Sequence, residues 1–340
     1  MKLIKTEDAV GHVLCHDLTR IVKDEFKGAQ FKKGHIITED DIPMLLSMGK
    51  EHLYVWEMEE GMVHENDAAK RLYKLCDNEN IRPSKTIKEG KIEAFSTIDG
   101  YFEVDVDKLD AINSLDEIMI ATRHGNTAVK KGDKLAGMRV IPLVVKDEKL
   151  KESEKIQNGC PILKVTPYKL KKAGIVTTGS EVFKGIIKDT FTPVIVDKLK
   201  QYGIETTEHI TVDDGMDNII SAIKEIRKKG VDIILCSGGM SVDPDDNTPG
   251  AIKNSGAEIV TYGAPVLPGA MFLLGYFDDG TPIMGLPGCV MFAGATVFDL
   301  VLPKVAAGIK VAKKDIVKLG NGGLCLGCNE CRYPVCPFGK

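Results

Sequence analysis

Two kinds of residue in this chain have the type and spacing to do chemistry. The first is a set of thiols. Cys325, Cys328, Cys331 and Cys336 form C-x2-C-x2-C-x4-C-P. Four thiolates this close suit one [4Fe–4S] cluster or a tetrahedral zinc ion. The run C-x2-C-x2-C-x3-C-P that holds iron–sulfur clusters is one residue shorter, and its fourth cysteine serves a second cluster. No second cysteine set stands here. The cluster reading is placed ahead of zinc, and both ahead of an unmetallated tail. Without a metal, residues 320–340 carry too little apolar surface to fold alone and are expected to be disordered. Cys15, Cys76, Cys160, Cys236 and Cys289 are scattered and read as small core residues.

The second kind is a series of glycine- and aspartate-bearing loops. They are TTGSEV (177–182), TVDDG (211–215), CSGGMSVDPDDNTP (236–249) and GLPGCV (285–290). In the third, Ser237, Gly238 and Gly239 end an apolar run, where glycine lets backbone N–H groups approach an anion. Ser241 adds a hydroxyl. Asp243, Asp245 and Asp246 follow at once, and carboxylates beside a phosphate repel it unless a hard cation such as Mg²⁺ lies between. Asp213 and Asp214 offer further oxygens. Plain structural readings stand beside these. Glycine turns connect strands everywhere, Asp246 before Asn247-Thr248-Pro249 suits a helix cap, and Asp213 and Asp214 suit a loop. Each loop alone is weak; together they outweigh the plain readings.

The elements around these loops decide whether they can meet. From about 170 the pattern alternates strand, loop and helix. KKAGIVTTG, IETTEHI and the almost wholly apolar VDIILC read as strands. Phe191, Val194, Ile195 and Leu199 mark one helix face, and Ile219, Ile220, Ile223 and Ile226 another. MFLLGYF and TPIMGLP flank Asp279-Gly280, a type I′ hairpin signal. A final helix is predicted over about 290–307. Such alternation gives a mainly parallel sheet with helices on both faces, and ligands bind beyond the strand C-termini. The N-terminal part, 1–165, reads as mixed α+β and rich in short strands. It opens with a capping box, Thr38 with Asp41, then a short helix and the strand HLYVW. The charged stretch 146–159 reads as a linker or a solvated helix, with the linker the better reading. A tail, 311–340, carries the four clustered cysteines.

The 340 residues suit roughly two domains at ~150 residues each. A net charge of −4 argues against a nucleic-acid or anionic-membrane surface. No apolar run reaches the ~20 residues of a membrane span, and no secretion signal opens the sequence, so a cytoplasmic protein is expected. The seven histidines are dispersed, and no Ser-His-Asp or Cys-His arrangement stands out.

In their order, TTGSEV, VDD, SGGMSVDPDDNTP and GLPG resemble the molybdopterin-binding domain of molybdenum-cofactor biosynthesis proteins, the family of MogA, MoeA, gephyrin and CinA. The resemblance covers about 170–307. It implies a three-layer α/β/α domain over 166–310 that binds molybdopterin or its adenylylated form, with Mg²⁺ and molybdate. AVGHVLCHDLT and KGHIITEDDIPMLLSMGKEHLYVWE resemble MoeA chains, and STIDGYFEV does so more faintly. The implied reaction is therefore that of a molybdopterin molybdenumtransferase. By this match Asp213 and Asp246 are the catalytic, Mg²⁺-holding carboxylates. Ser237, Gly238, Gly239, Ser241 and Asp243 contact phosphate or oxyanion, joined by Thr178, Gly179, Ser180 and Glu181 of the first loop and Pro287 and Gly288 of the fourth.

The pattern departs from MoeA in several places. Ser180 stands where MoeA has Asp, Cys289-Val290 where it has Asn-Pro, and Asp243 where it has Gly. DDNTP is closer to MogA, and TTGSEVFKGIIKDT is similar to CinA. Two other functions stay open: a non-catalytic molybdopterin carrier or sensor serving a molybdoenzyme partner, and a CinA-like nucleotide pyrophosphatase. MoeA relatives dimerise and MogA relatives trimerise, so the resemblance implies a homo-oligomer.

Overall fold

The structure, a computed structural model, describes residues 2–22, 26–55, 60–241, 243–244 and 246–340. Trp56 and Asp245 lie outside them. The chain divides into two compact units. The first comprises Met1–Thr97, Glu103–Gly125 and Lys131–Lys164. The second comprises Ile98–Phe102, Asn126–Lys130 and Val165–Lys340.

In the first unit the opening residues build a small core of Leu14, Phe31, Ile37, Leu45 and Leu53. The Thr38 capping box is present: Asp41 Oδ2 accepts the Thr38 N–H at 2.8 Å, and the helix Ile42–Ser47 follows. A longer helix, Glu65–Lys74, buries Ala68, Ala69, Leu72 and Tyr73. A four-stranded antiparallel sheet runs in the order Ile81–Pro83, Ile92–Ser96, Lys134–Val140, Ile118–Thr122. The stretch expected to be a linker is a helix, Asp147–Gln157. Its few apolar residues mislead: Leu150 and Ser153 are buried, and ion pairs tie the exposed side to Arg71. Arg71 bonds Glu154 Oε1 at 2.7 Å and Asp147 Oδ1 at 2.5 Å, and Asn158 ends the helix in the left-handed conformation.

The second unit is built on a six-stranded sheet. Its order is Glu205–Val212, Lys172–Thr178, Ile233–Ser237, Pro282–Leu286, Leu273–Tyr276, Glu258–Tyr262. The first four strands are mutually parallel, and Leu273–Tyr276 runs antiparallel to both of its neighbours. Strand alternation feeds two cores. Ile175, Ile233, Leu235 and Met284 enter one with the helices Phe191–Lys200 and Val297–Ala306. Val176, Ile234, Cys236 and Ile283 enter the other with the helices Met216–Lys228 and Thr248–Asn254. Period-two patterning on both faces is why the central strands read as unbroken apolar runs. Four parallel strands necessarily end on one side, so the loops after Thr178, Val212, Ser237 and Leu286 share one sheet edge.

Two local expectations change. Gly280 alone takes positive φ in the hairpin, 86°, and the turn closes with the Gly280 N–H on the Phe277 carbonyl. This is not the type I′ pair. The fourth loop opens only a 3-10 turn, Gly288–Met291; the α-helix begins at Val297 behind its own Thr296–Asp299 capping box. The tail is tied down rather than loose. Phe338 is buried in the core and Tyr333 packs against it. The Tyr333 hydroxyl donates to the Asp299 carbonyl at 3.0 Å. The segment is poor in apolar residues, but it borrows the domain's core instead of making its own.

Candidate functional site

The site is organised by the turn after Ile233–Ser237. Gly238 and Gly239 have φ of 89° and 54°. A Cβ on Gly238 would lie 2.2 Å from the Thr178 carbonyl oxygen, and one on Gly239 2.9 Å from Thr248 Oγ1. Only glycine allows this turn to press against the end of the neighbouring strand. Beneath it the hydroxyls of Thr178 and Thr248, both buried, meet at 3.2 Å. The first and third loops are thereby fixed to each other and to the helix Thr248–Asn254.

Above this floor opens a cleft of about 470 Å³. Gly238, Gly239, Ser241, Asp243 and Asp246 line it from the third loop, and Pro287, Gly288 and Cys289 from the fourth. Asp243 and Asp246 face each other's backbone: the Asp246 N–H donates to the Asp243 carbonyl at 2.9 Å, and the Asp243 N–H to Asp246 Oδ2 at 3.3 Å. The Tyr262 hydroxyl donates to the Met240 carbonyl at 3.1 Å; burial and the nearby Asp246 raise its pKa. Burial likewise raises the Cys289 thiol, so this cysteine lines the cleft as a protonated, weakly polar group.

The other residues expected at the site lie elsewhere. Ser237 is 1% exposed, and its hydroxyl is directed to Thr177 Oγ1 at 3.5 Å rather than to the cleft. Thr178 forms the floor. Gly179, φ 140°, starts the short helix Ser180–Phe183, and Glu181 is exposed there. Asp213 does not line the cleft. Its Oδ1 accepts from the Asn218 side-chain amide at 2.7 Å and the Gly215 N–H at 3.0 Å, which hold its carboxyl below the usual range. The second loop reaches the others through Asp214. Asp214 Oδ2 accepts the Ser180 N–H at 2.8 Å, and its carbonyl accepts Asn247 Nδ2 at 2.9 Å. Position 180 carries serine rather than an acid, and Asp214 brings a carboxylate to its backbone.

Among the described residues no three His, Cys, Asp or Glu side chains form a group able to hold a metal ion. Mg²⁺ asks less of a protein: it is commonly held by one or two carboxylates, with phosphate oxygens and waters completing its shell. Asp243 and Asp246 fit that minimal donor set.

Two features escaped the sequence. Thr177 Oγ1 meets Thr192 Oγ1 and His209 Nε2, each at 3.0 Å. Asp189 Oδ1 accepts the N–H groups of Phe191 and Thr192 at 2.8 and 3.0 Å. Burial raises the Asp189 carboxyl, but these hydrogen bonds outweigh it and hold it below the usual range. This network secures the start of the helix Phe191–Lys200. The first unit has a cleft of its own, about 360 Å³, lined by His16, Asp17, Lys50, Glu65, Glu89 and Arg139. The Glu65 side chain is 7% exposed, with Arg139 Nη2 at 3.9 Å. Burial raises its carboxyl more than Arg139 lowers it. Beside it, His64 Nε2–H donates to the Cys15 carbonyl at 2.8 Å, and burial lowers the imidazole pKa. These residues come from several separate stretches of the sequence, among them His16-Asp17 and His64-Glu65, and no motif marks them.

Residues 174–307 match a family described as a probable molybdopterin binding domain. The matched residues lie within the second unit. Residues 3–57 match a family described only as a domain of unknown function. A CinA-like protein from Shewanella frigidimarina is 37% identical over 90 residues, which is 26% of this chain and 21% of that protein. A CinA-like protein from Mycobacterium avium is 40% identical over 78 residues, 23% of this chain and 18% of that protein. The match thus spans about a fifth of these relatives' length. A solved tungsten cofactor synthesizing protein MoaB from Pyrococcus furiosus aligns at 22% identity and a TM-score of 0.34, covering 40% of this chain and 92% of that one. The family match is to a molybdopterin-binding domain over residues 174–307, and the relatives do not single out a MoeA-like molybdenumtransferase.

Proposed function

We propose that the sheet-edge cleft binds the phosphate end of molybdopterin or of its adenylylated form, and that the protein promotes Mg²⁺-dependent insertion of molybdate. The observation that carries this reading is the Gly238–Gly239 turn, pressed onto Thr178 and opening beside Asp243 and Asp246. Such a turn offers backbone N–H groups to an oxyanion without side-chain cover. Mg²⁺, when bound, supplies neutralisation of phosphate charge and polarisation of the phosphoryl oxygen. Asp243 and Asp246 would hold it, Ser241 would donate its hydroxyl to an oxyanion, and Asp214 would keep the first loop in register through Ser180. The protonated Cys289 is no nucleophile, so catalysis rests on positioning and charge neutralisation.

The test is incubation with adenylylated molybdopterin, molybdate and Mg²⁺. AMP release with formation of molybdenum cofactor is the expected result. Absence of both, with tight pterin binding, would assign a carrier instead. The second reading, a nucleotide pyrophosphatase, is favoured by the 37% identity with a CinA-like protein over 90 residues. Cleavage of ADP-ribose in the same assay would select it.

A further inference from the structure

The four clustered cysteines have no part in the cleft chemistry, and the fold does not bury them as it buries Cys15, Cys76 and Cys236. Cys76 and Cys236 are buried, and burial pushes both thiols up to about 12. They are core residues that do not ionise at neutral pH. In the tail, Cys328 and Cys331 are exposed, Cys325 and Cys336 half-buried, and all four are free of disulfides. Leu326 and Val335, 73% and 81% exposed, leave the segment between them without an apolar core of its own.

Yet both ends of this segment are held. The Gly339 N–H donates to the Gly322 carbonyl at 2.9 Å, closing residues 322–339 into a loop. At the start of the loop, the Cys325 N–H donates to the Leu267 carbonyl and the Leu267 N–H to the Gly323 carbonyl, each at 2.8 Å. Near its end Phe338 is buried, and Cys336 packs on the same core as Cys325. Two thiols are thus anchored on the domain surface, and two lie on the exposed chain between them. The four do not converge as the loop now runs. Gathering them requires the chain between Cys325 and Cys336 to rearrange, while the Gly322–Gly339 closure lies outside that stretch.

We propose that the loop 322–339 is a four-thiolate metal site, taking a divalent ion such as Zn²⁺ or a preassembled [4Fe–4S] cluster. Each of Cys325, Cys328, Cys331 and Cys336 forms one sulfur–metal bond and loses its S–H proton to solvent. No electron is transferred. Loop closure lowers the entropy that ligand gathering must overcome, since the ends are already together.

The experiment uses the full chain purified without oxygen, with metal and acid-labile sulfide measured per chain. About one zinc in colourless protein, or about four iron with matching sulfide and a visible absorbance band, is the expected result. Both support the site and tell its occupants apart. In protein stripped of metal, Co²⁺ addition should produce an intense thiolate-to-cobalt band and release protons. Cys328→Ser with Cys331→Ser should abolish both while leaving the melting temperature of metal-free protein unchanged, since both residues are exposed. Cys160→Ser, exposed in the first unit, should change neither. No metal after anaerobic purification together with no Co²⁺ band would overturn the proposal. So would full metal content in the Cys328→Ser, Cys331→Ser variant.

Discussion

The cleft at the second unit's sheet edge and the cleft around Glu65 in the first are of comparable size, about 470 and 360 Å³. They are made of different material. One is shaped by backbone: two glycines in left-handed turns, a strand end and a buried pair of threonine hydroxyls. The other is shaped by charged and titratable side chains: Glu65, raised by burial, and His16, lowered by burial, beside Arg139 and Lys50. A backbone-built cleft keeps its geometry across pH but fails at a single added methyl group. A side-chain-built cleft tolerates small changes of volume but responds to proton concentration.

The strongest way to break this contrast is Gly238→Val. Its Cβ would meet the Thr178 carbonyl at 2.2 Å in a backbone conformation that valine resists. A loss of at least about 2 kcal/mol in chemical denaturation is expected, with phosphate-ligand binding gone by calorimetry. Retained binding would mean that the turn does not shape the cleft. Next comes Asp246→Asn, for which turnover should fall on the order of 100-fold with the melting curve unmoved. Asp213→Asn should cost far less, because Asp213 serves its own loop; equal losses would restore Asp213 to the reacting centre.

The side-chain cleft is tested by pH. Burial raises the Glu65 carboxyl, so the folded state keeps a proton that the unfolded chain releases as pH rises through about 4.5. Stability therefore declines above that pH. Glu65→Gln should raise the melting temperature at pH 7–8, on the order of 2 °C, and change little at pH 4. A uniform shift at both pH values would show that Glu65 acts through packing alone. The smallest effect is expected from Cys289→Ala: turnover within about threefold of the parent, since a protonated thiol beside the cleft attacks nothing. A hundredfold loss would make Cys289 a participant.

Much of the second unit was readable in advance because its rules are local. Apolar runs flanked by glycine gave the strands, Ile219, Ile223 and Ile226 gave a helix face, and parallel connectivity put four loop ends on one edge. What escaped depends on direction rather than on type. Ser237 and Ser241 look alike in the sequence, yet one hydroxyl is buried under the sheet edge and the other lines the cleft. Asp213 and Asp214 are adjacent, and only the backbone decides that the second reaches Ser180. In the first unit the charged stretch before Gly159 gave no apolar stripe, so its helix, held by Arg71 from far along the chain, read as a connector. The Glu65 cleft is assembled from distant stretches of the chain, and nothing short of the fold brings them together.

The hydrogen bond from Ser180 to Asp214 has a consequence for how this edge can change. The carboxylate that serves the first loop is not tied to that loop's own sequence. Placing Asp at 180 while Asp214 remains sets two like charges against each other, whereas moving the acid from 214 to 180 keeps the count. The two positions should therefore be non-additive: a double variant that exchanges serine and aspartate between them should lose less than its single variants together. An acid at this edge is portable between loops, and either loop can surrender it only when the other receives it.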